Sequence, residues 1–445
     1  MDVKKAQLLT SMLLAAILII PRVYYVEHFG FPLPFWDQWD SEWLGLLKPW
    51  INGDRDIKLL FAPHNEHRIV PTRILTLIIF NITGEWNNLV QARINIPLSA
   101  LSPAILLYAL FKSNEKDRVK WLTVLIVLLG ASLPFSWENF LIGFQSQFYF
   151  LNLFTVSSLF LSAYRSDRIW AVVFIVALSI LSTLTVASGL LTPASVIMLI
   201  LIKSYNERKL SSSSIALVVI LLAISVLAYL GIPPTPAHKT LRAKSIPEFL
   251  QTVCHLMGWP LRGSNPYHAV LWIPGAVMVT LQFIRRRFTQ IDLLFVGCLA
   301  WSAMQIIALA YARGNNLTHH MPPRYTEVLL LGLAGNSWFV LKIPSLATNA
   351  RHRAFGWGLL TIFHVAVIFT YIQRGVLDLR ILKEETLRRL TQTDNVCQYI
   401  STHEFSAIKK VGTQIPYPDP KRLQLMLDDP DLKRVLDFDN LCKPD

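Results

Sequence analysis

Three carboxylates, Asp37, Asp40 and Glu42, fall within six positions in the run Phe35-Trp36-Asp37-Gln38-Trp39-Asp40-Ser41-Glu42-Trp43. A helical turn puts Asp37 and Asp40 on one face. Only an extended strand would pair Asp40 with Glu42. Like charges this close are costly unless a cation, or a proton needed for chemistry, occupies the site. A second cluster, Ala62-Pro63-His64-Asn65-Glu66-His67-Arg68, packs two imidazoles, a carboxylate and a guanidinium into five residues. Such groups can supply a general base, a metal ligand and a phosphate clamp. The His64–His67 spacing fixes no third zinc ligand, so polar positioning is the expected role of both histidines. Oxygen ligands suit Mg²⁺ or Mn²⁺ beside a phosphate, which makes Asp37, Asp40 and Glu66 the candidates if a divalent ion is used. The bland alternative is a solvated loop; two dense clusters in one loop argue for function.

Further polar groups recur near the ends of apolar runs. Trp137-Glu138-Asn139 closes one run, and Gln145 and Gln147 open the next. Ser188-Gly189, with Pro193, interrupts another, so backbone groups there can face a cavity. His319-His320-Met321-Pro322-Pro323-Arg324-Tyr325 stands at the start of a late run. Arg324 there can snorkel to the surface or hold a lipid-linked phosphate.

The elements that must position these groups are membrane helices. Of 445 residues 53% are hydrophobic and 16% charged, against roughly a quarter charged in a soluble domain. Apolar runs at 6–26, 94–111, 121–135, 144–164, 169–186, 190–202, 215–230, 270–284, 291–311, 328–341 and 354–371 predict about eleven transmembrane helices. β-Barrel alternation is absent, so the expected fold is an all-α polytopic bundle. The net charge of +13 resides in short loops on one face: Lys112/Lys116/Arg118/Lys120, Arg165/Arg168, Lys203/Arg208/Lys209, Arg285/Arg286/Arg287 and Lys342/Arg351/Arg353. That is the positive-inside pattern, and it requires no nucleic-acid partner. It sets the N-terminus with Lys4 and Lys5 in the cytoplasm, behind an uncleaved first span.

The same rule places residues 27–93 on the non-cytoplasmic side and makes the apolar stretch 69–80, with Pro71 and Arg73, an interfacial or re-entrant helix. Trp36, Trp39, Trp43 and Trp50 are expected at the headgroup level. Residues 1–372 form the expected bundle. Residues 373–445 read as a small soluble tail on the outer side, with amphipathic helices over 377–390 and 423–436. Cys298 reads as packing and Cys254 lies in an outer loop. On an oxidising side Cys397 and Cys442 can bridge; two separate buried thiols are the equal alternative.

A first span, a long outer loop opening on acidic residues and many further spans resemble the GT-C superfamily of membrane glycosyltransferases. Asp37, Asp40 and Glu42 after the first span, the two-part loop with its apolar 69–80 stretch, and Arg324-Tyr325 opening a late span carry the likeness. Two departures stand out: the soluble tail is short, and the His64–Arg68 cluster has no family counterpart. The resemblance implies an inverting transfer of sugar from a polyprenyl-phosphate donor to a cell-surface glycan or lipid-linked acceptor, in the plasma (inner) membrane. It implies Asp37 or Asp40 as base, Arg324 and Arg68 on the phosphate, and Glu66 and His64 orienting the acceptor. Glu42, Asn65, His67, Glu138, Gln145 and Tyr325 complete the expected substrate-binding set. A transporter or flippase of lipid-linked sugars, or a non-catalytic envelope assembly protein, are the competing readings. Transport would need polar groups near the bilayer midplane, where they are sparse: Asp292 sits near one cytoplasmic end and His364 is the lone candidate.

Overall fold

The computed structural model describes residues 3–113, 117–261, 263, 265–318 and 321–443. Lys116, His319 and His320 lie outside the described residues. Helices and turns make up the described residues, without a strand, apart from one backbone bridge between His64 and His67. The longer helices are α1 Val3–Phe29, α2 Val70–Thr83, α3 Asn88–Lys112, α4 Asp117–Ser132, α5 Ser146–Arg165, α6 Ile169–Thr183, α7 Leu191–Glu207, α8 Ser212–Leu230, α9 Ile246–Met257, α10 Ile273–Arg285, α11 Gln290–Leu317, α12 Thr326–Val340 and α13 Ala350–Thr402.

Eight helices among the described residues are long and apolar enough to cross a membrane: Asn88–Lys112, Lys120–Leu141, Ala187–Glu207, Ser212–Leu230, Tyr267–Arg285, Gln290–Leu317, Pro323–Leu346 and Ala350–Thr402. The protein is thus an all-α membrane protein. The apolar runs become helices because every buried N–H and C=O must be bonded within the segment. Capping sets several ends. The Asn87 side chain accepts from the amides of Leu89 and Val90 to start α3. Thr289 and Asp292 form a reciprocal capping box at α11. At the basic end of the bundle Asp292 is completely buried, and is bonded to Lys342 at 2.6 Å and to the Trp338 indole at 2.7 Å. His364 is likewise internally bonded, to Ser337 and the Leu360 carbonyl.

Two irregular pieces carry the end of the bundle away from the basic loops, the end expected to be outer and hence termed the outer face. The first is the break between α6 and α7, where residues 184–190 leave the helix. A Cβ at Gly189 would run into the Ser182 carbonyl, so only glycine allows this turn. The freed carbonyls of Leu184 and Thr185 accept from Val70 and Ile69, which fastens the start of α2 to the break. The second is α2 itself. Its fourteen residues reach about 21 Å, short of the roughly 30 Å hydrocarbon layer. It buries Arg73, Thr76 and Leu77 and exposes Ile74, Ile78 and Ile82.

Helix α13 runs 53 residues without interruption, about 80 Å. The expected separate helix over 377–390 is its outer continuation, because nothing between Tyr371 and Leu390 breaks the periodicity. The expected helix over 423–436 is two short ones, Pro420–Leu427 and Pro430–Lys433, since Pro430 cannot continue the first.

The outer end of α13 and the tail close over the first outer segment in one apolar core. Trp39, Trp43, Leu46 and Trp86 pack with Val396, Tyr399, Ile415 and Leu423. Trp39 and Trp43 are wholly buried there, which corrects their expected place at the headgroups: each ring removes more area from water inside this core than at an interface. Shared burial puts the tail and the first outer segment on the same side. Cys397 and Cys442 form a disulfide that closes the tail onto α13 across 45 residues.

Replacing Cys442 with serine is expected to destabilise the tail by about 2–4 kcal/mol. Limited proteolysis checks this: tail cleavage should accelerate with the bundle intact, and an unchanged cleavage rate would contradict it.

Candidate functional site

The second sequence cluster folds as a tight turn. His64 and His67 exchange both backbone hydrogen bonds, at 2.8 and 2.9 Å, and such a paired position points both imidazoles to one face. Asn65 takes the left-handed conformation (φ 52°), which asparagine tolerates better than most residues. The His67 Nδ1 accepts from the Ala187 amide in the α6–α7 break at 3.0 Å. A nitrogen accepting there carries no proton, so His67 is neutral with its hydrogen on Nε2. Burial accordingly pushes its pKa down to about 4, against the opposing Glu66 charge.

Glu66 is the knot of this corner. Its carboxylate bonds Arg313 from the outer end of α11 and His238 from the segment after α8. His67 Nε2 stands 3.8 Å away. Burial raises the Glu66 pKa, but the neighbouring His67, Arg313 and His238 and a backbone bond outweigh it, and the carboxyl stays below its usual range. Arg68 donates to the carbonyls of Phe61 and Gly231, so it braces two outer segments.

The three carboxylates of the first cluster point three ways. Asp37 precedes the π-helix Trp39–Leu47 and is 53% exposed, 3.7 Å from His64 Nε2. Partial burial pushes its pKa up; the neighbouring His64, Arg324 and His67 win and hold it below the usual value. Asp40 faces the tail, paired with Arg422 at 2.5 Å and accepting from the Tyr417 hydroxyl at 3.0 Å. Burial and this carboxylate push the Tyr417 pKa up to about 12. Glu42 is 1% exposed and accepts from Trp86 Nε1 at 2.8 Å, Thr76 at 2.9 Å and Gln38 at 3.1 Å. Burial pushes its pKa up despite those donors. Asp37 and Asp40 do not share a partner: Asp37 stands by His64, and Asp40 by Arg422 and Tyr417. Separation also removes the repulsion that made the cluster costly.

Arg324 sits at the outer start of α12, its Nη1 2.7 Å from Glu138, with its side chain 35% exposed. Its guanidinium also lies over the Tyr325 ring at 5.3 Å. Asn139 donates to the Arg324 carbonyl, so the segment Trp137–Leu141 holds both ends of this residue. Gln145 is buried and accepts from Gln147. One outer corner therefore gathers Asp37, His64, Glu66, His67, Glu138 and Arg324. Asp40, Glu42, Arg68 and Gln145 brace the surrounding structure, and Asn65 lies exposed at the turn.

His238, Arg313, Tyr417 and Arg422 were not singled out in the sequence. Their partners lie 172, 247, 377 and 382 residues away, and no local pattern signals such contacts. Arg389 of α13 is a further case: it is buried and its guanidinium lies 3.3 Å from the Phe35 ring centroid. Among the described residues no group of three or more His, Cys, Asp or Glu side chains could hold a metal ion. Asp37, Asp40 and Glu66, the residues expected to serve if a divalent ion is used, each meet different partners.

Backbone strain concentrates here. Trp36, Asn65 and Ile69 all have φ near +50°, a conformation that costs a bulky or branched residue about 1 kcal/mol or more. The remaining non-glycine cases among the described residues, Arg208, Arg286 and His403, cap helix C-termini. No protein-family model matches the chain, and no curated protein matches it.

His67 makes a pH prediction. Its imidazole titrates at 6.5 when unfolded and about 4 when folded. Between those values the unfolded chain binds a proton that the folded chain does not, so acidification through this window favours unfolding. Asp37 and Glu66 contribute stability above their unfolded values of 3.8 and 4.5 and lose it only below them. The His67→Gln variant should therefore show a flatter fall of melting temperature between pH 6.5 and 4.5. An identical slope in both proteins would refute the assignment.

Proposed function

We propose that the chain is an inverting membrane glycosyltransferase of the GT-C layout, moving a sugar from a polyprenyl-phosphate donor to a glycan or lipid-linked acceptor. The carrying observation is Asp37: an ionised, half-exposed carboxylate in the first outer segment, beside His64 and within the field of Arg324. Asp37 takes the proton from the acceptor hydroxyl as that oxygen attacks the anomeric carbon. The bond from that carbon to the phosphate oxygen breaks, and the departing polyprenyl phosphate keeps the electron pair. Arg324, partly exposed and oriented by Glu138, stabilises that anion. A single displacement inverts the anomeric centre; a base opposite the leaving group is also how inverting glycosidases work. His64 and the pinned turn around Glu66 keep Asp37 in position. No step is routed through a metal ion.

Adding α1, α5 and α6 to the eight long apolar helices makes eleven crossings; α6 is nearly as short as α2 and is counted because the basic loops then all fall on one side. With the N-terminus cytoplasmic, the corner and the tail then lie outside, in the plasma membrane. The Cys397–Cys442 disulfide supports an oxidising outer side.

Transport is the runner-up. Its best support is the pair Arg22 and Glu327, 4.0 Å apart in a mostly apolar cavity that also meets Tyr149 and Asn152. That cavity has about 30 Å³, space for one or two waters and not for a sugar.

The test is transfer by purified protein from radiolabelled polyprenyl-phosphate sugars to a membrane glycan extract. Asp37→Asn should reduce the rate by about 10²–10⁴-fold. Asp40→Asn should keep the rate and lower the melting temperature, since Asp40 holds the tail. Full activity of a folded Asp37→Asn protein would overturn the reading.

A further inference from the structure

The four tryptophans of the first outer segment separate by exposure. Trp39 and Trp43 are wholly buried, and Trp50 lies under the Arg55 guanidinium at 3.9 Å. Trp36 alone of the four leaves a large part of its indole open, at 46%. It immediately precedes Asp37 and is held in a left-handed backbone (φ 48°). Its amide donates to the Pro416 carbonyl of the tail at 2.8 Å, and Phe35 flanks the ring at 5.7 Å between centroids. A large side chain in this conformation is strained, and folded proteins keep such strain where the surroundings impose it. Glycine would adopt the same backbone freely.

An exposed tryptophan in a membrane protein is ordinarily an interface anchor. The depth of Trp36 argues against that. Leu382 of α13 packs with Val26, Phe29 and Ala92 at the outer ends of α1 and α3. The tail carbonyls of Thr413 and Gln414, next to Pro416, bond Gln392 and Asn395. Those residues are ten or more positions further along α13 than Leu382, about 15 Å beyond it along the helix. Trp36 thus faces the aqueous side, above the headgroups, next to the half-exposed Asp37.

A rigid, open indole face beside a carboxylate suits a pyranose ring, whose axial C–H face is apolar and whose rim is hydroxylated. Resting on the glycosyl-transfer reading, we propose that Trp36 is the platform on which the acceptor sugar stacks, so the acceptor is a carbohydrate presented from the aqueous side. The ring orients one acceptor hydroxyl toward Asp37. Donor binding, at the Arg324 end, does not involve it. Trp36 is a positioning residue, and the proton moves only to Asp37.

The decisive variant is Trp36→Gly, which removes the ring and relieves the backbone. It should melt at or above the wild-type temperature. Its KM for the glycan acceptor should rise about tenfold or more, the loss of one aromatic stacking contact. The KM for the polyprenyl-phosphate sugar should not change, and Trp36→Phe should recover part of the acceptor affinity. An unchanged acceptor KM in Trp36→Gly overturns the platform. Saturation-transfer NMR with neutral oligosaccharides released from the same glycan extract separates this inference from the enzymatic reading. Ring C–H signals present with wild type and lost with Trp36→Gly support the platform even if no transfer is detected. Wild-type protein giving no sugar signals overturns it.

Discussion

The Glu66 carboxylate holds the outer corner together. It is the one anion among Arg313, His238 and His67, contributed by the end of α11, the segment after α8 and its own turn. A carboxylate this enclosed is stable only with its charge paired and its lone pairs bonded. The three outer segments are therefore required to meet there. The backbone follows: Val70 and Ile69 bond the α6–α7 break, and the break returns a bond to His67. With the turn fixed from both sides, His64 stands where Asp37 can reach it. Removing Glu66 would leave Arg313 without its carboxylate and the break without a reason to sit against the loop.

The same logic explains why three neighbouring carboxylates behave differently. Glu42 is engulfed by donors at the base of the tryptophan core, Asp40 is spent on the tail, and Asp37 retains access to solvent. Charge density in the sequence becomes three separate environments because His64, Arg422 and Trp86 approach the three carboxylates from different segments. The turn at Trp36 is strained, as are those at Asn65 and Ile69, and all three flank the corner. Strain persists only where surrounding contacts over-determine the backbone. Here those contacts are the tail carbonyl at Pro416, the His64–His67 pairing and the carbonyls of the helix break.

The tail is part of this construction and not an appendage. Helix α13 carries the last apolar run straight into a second core outside the bundle, where Val396 and Tyr399 meet Trp39, Trp43 and Trp86. The disulfide and the pairs Lys48–Asp429 and Asp40–Arg422 hold the tail down on the loop. The exposed ion pairs contribute little singly; the buried aromatic area and the covalent link carry the attachment.

The amino-acid sequence alone determined the class of this protein, because bilayer thickness and backbone hydrogen bonding translate directly into runs of about twenty apolar residues. It also determined which loops are basic and that polar, titratable residues crowd into segment 27–93, since those follow from local counts of charge and apolarity. The cysteine spacing left bridge and free thiols open, and only the approach of α13 to the C-terminal segment decided for the bridge. The continuity of α13 was hidden by a change of hydropathy at residue 373, where a helix leaves the apolar layer without ending. The roles of the carboxylates were invisible for a different reason. Whether Asp37, Asp40, Glu42 or Glu66 is open, tied or buried depends on Arg422, Trp86, His238 and Arg313, residues 44 to 382 positions away. Distant partners and backbone twists such as φ 48° at Trp36 arise from packing, and packing is a property of the tertiary structure.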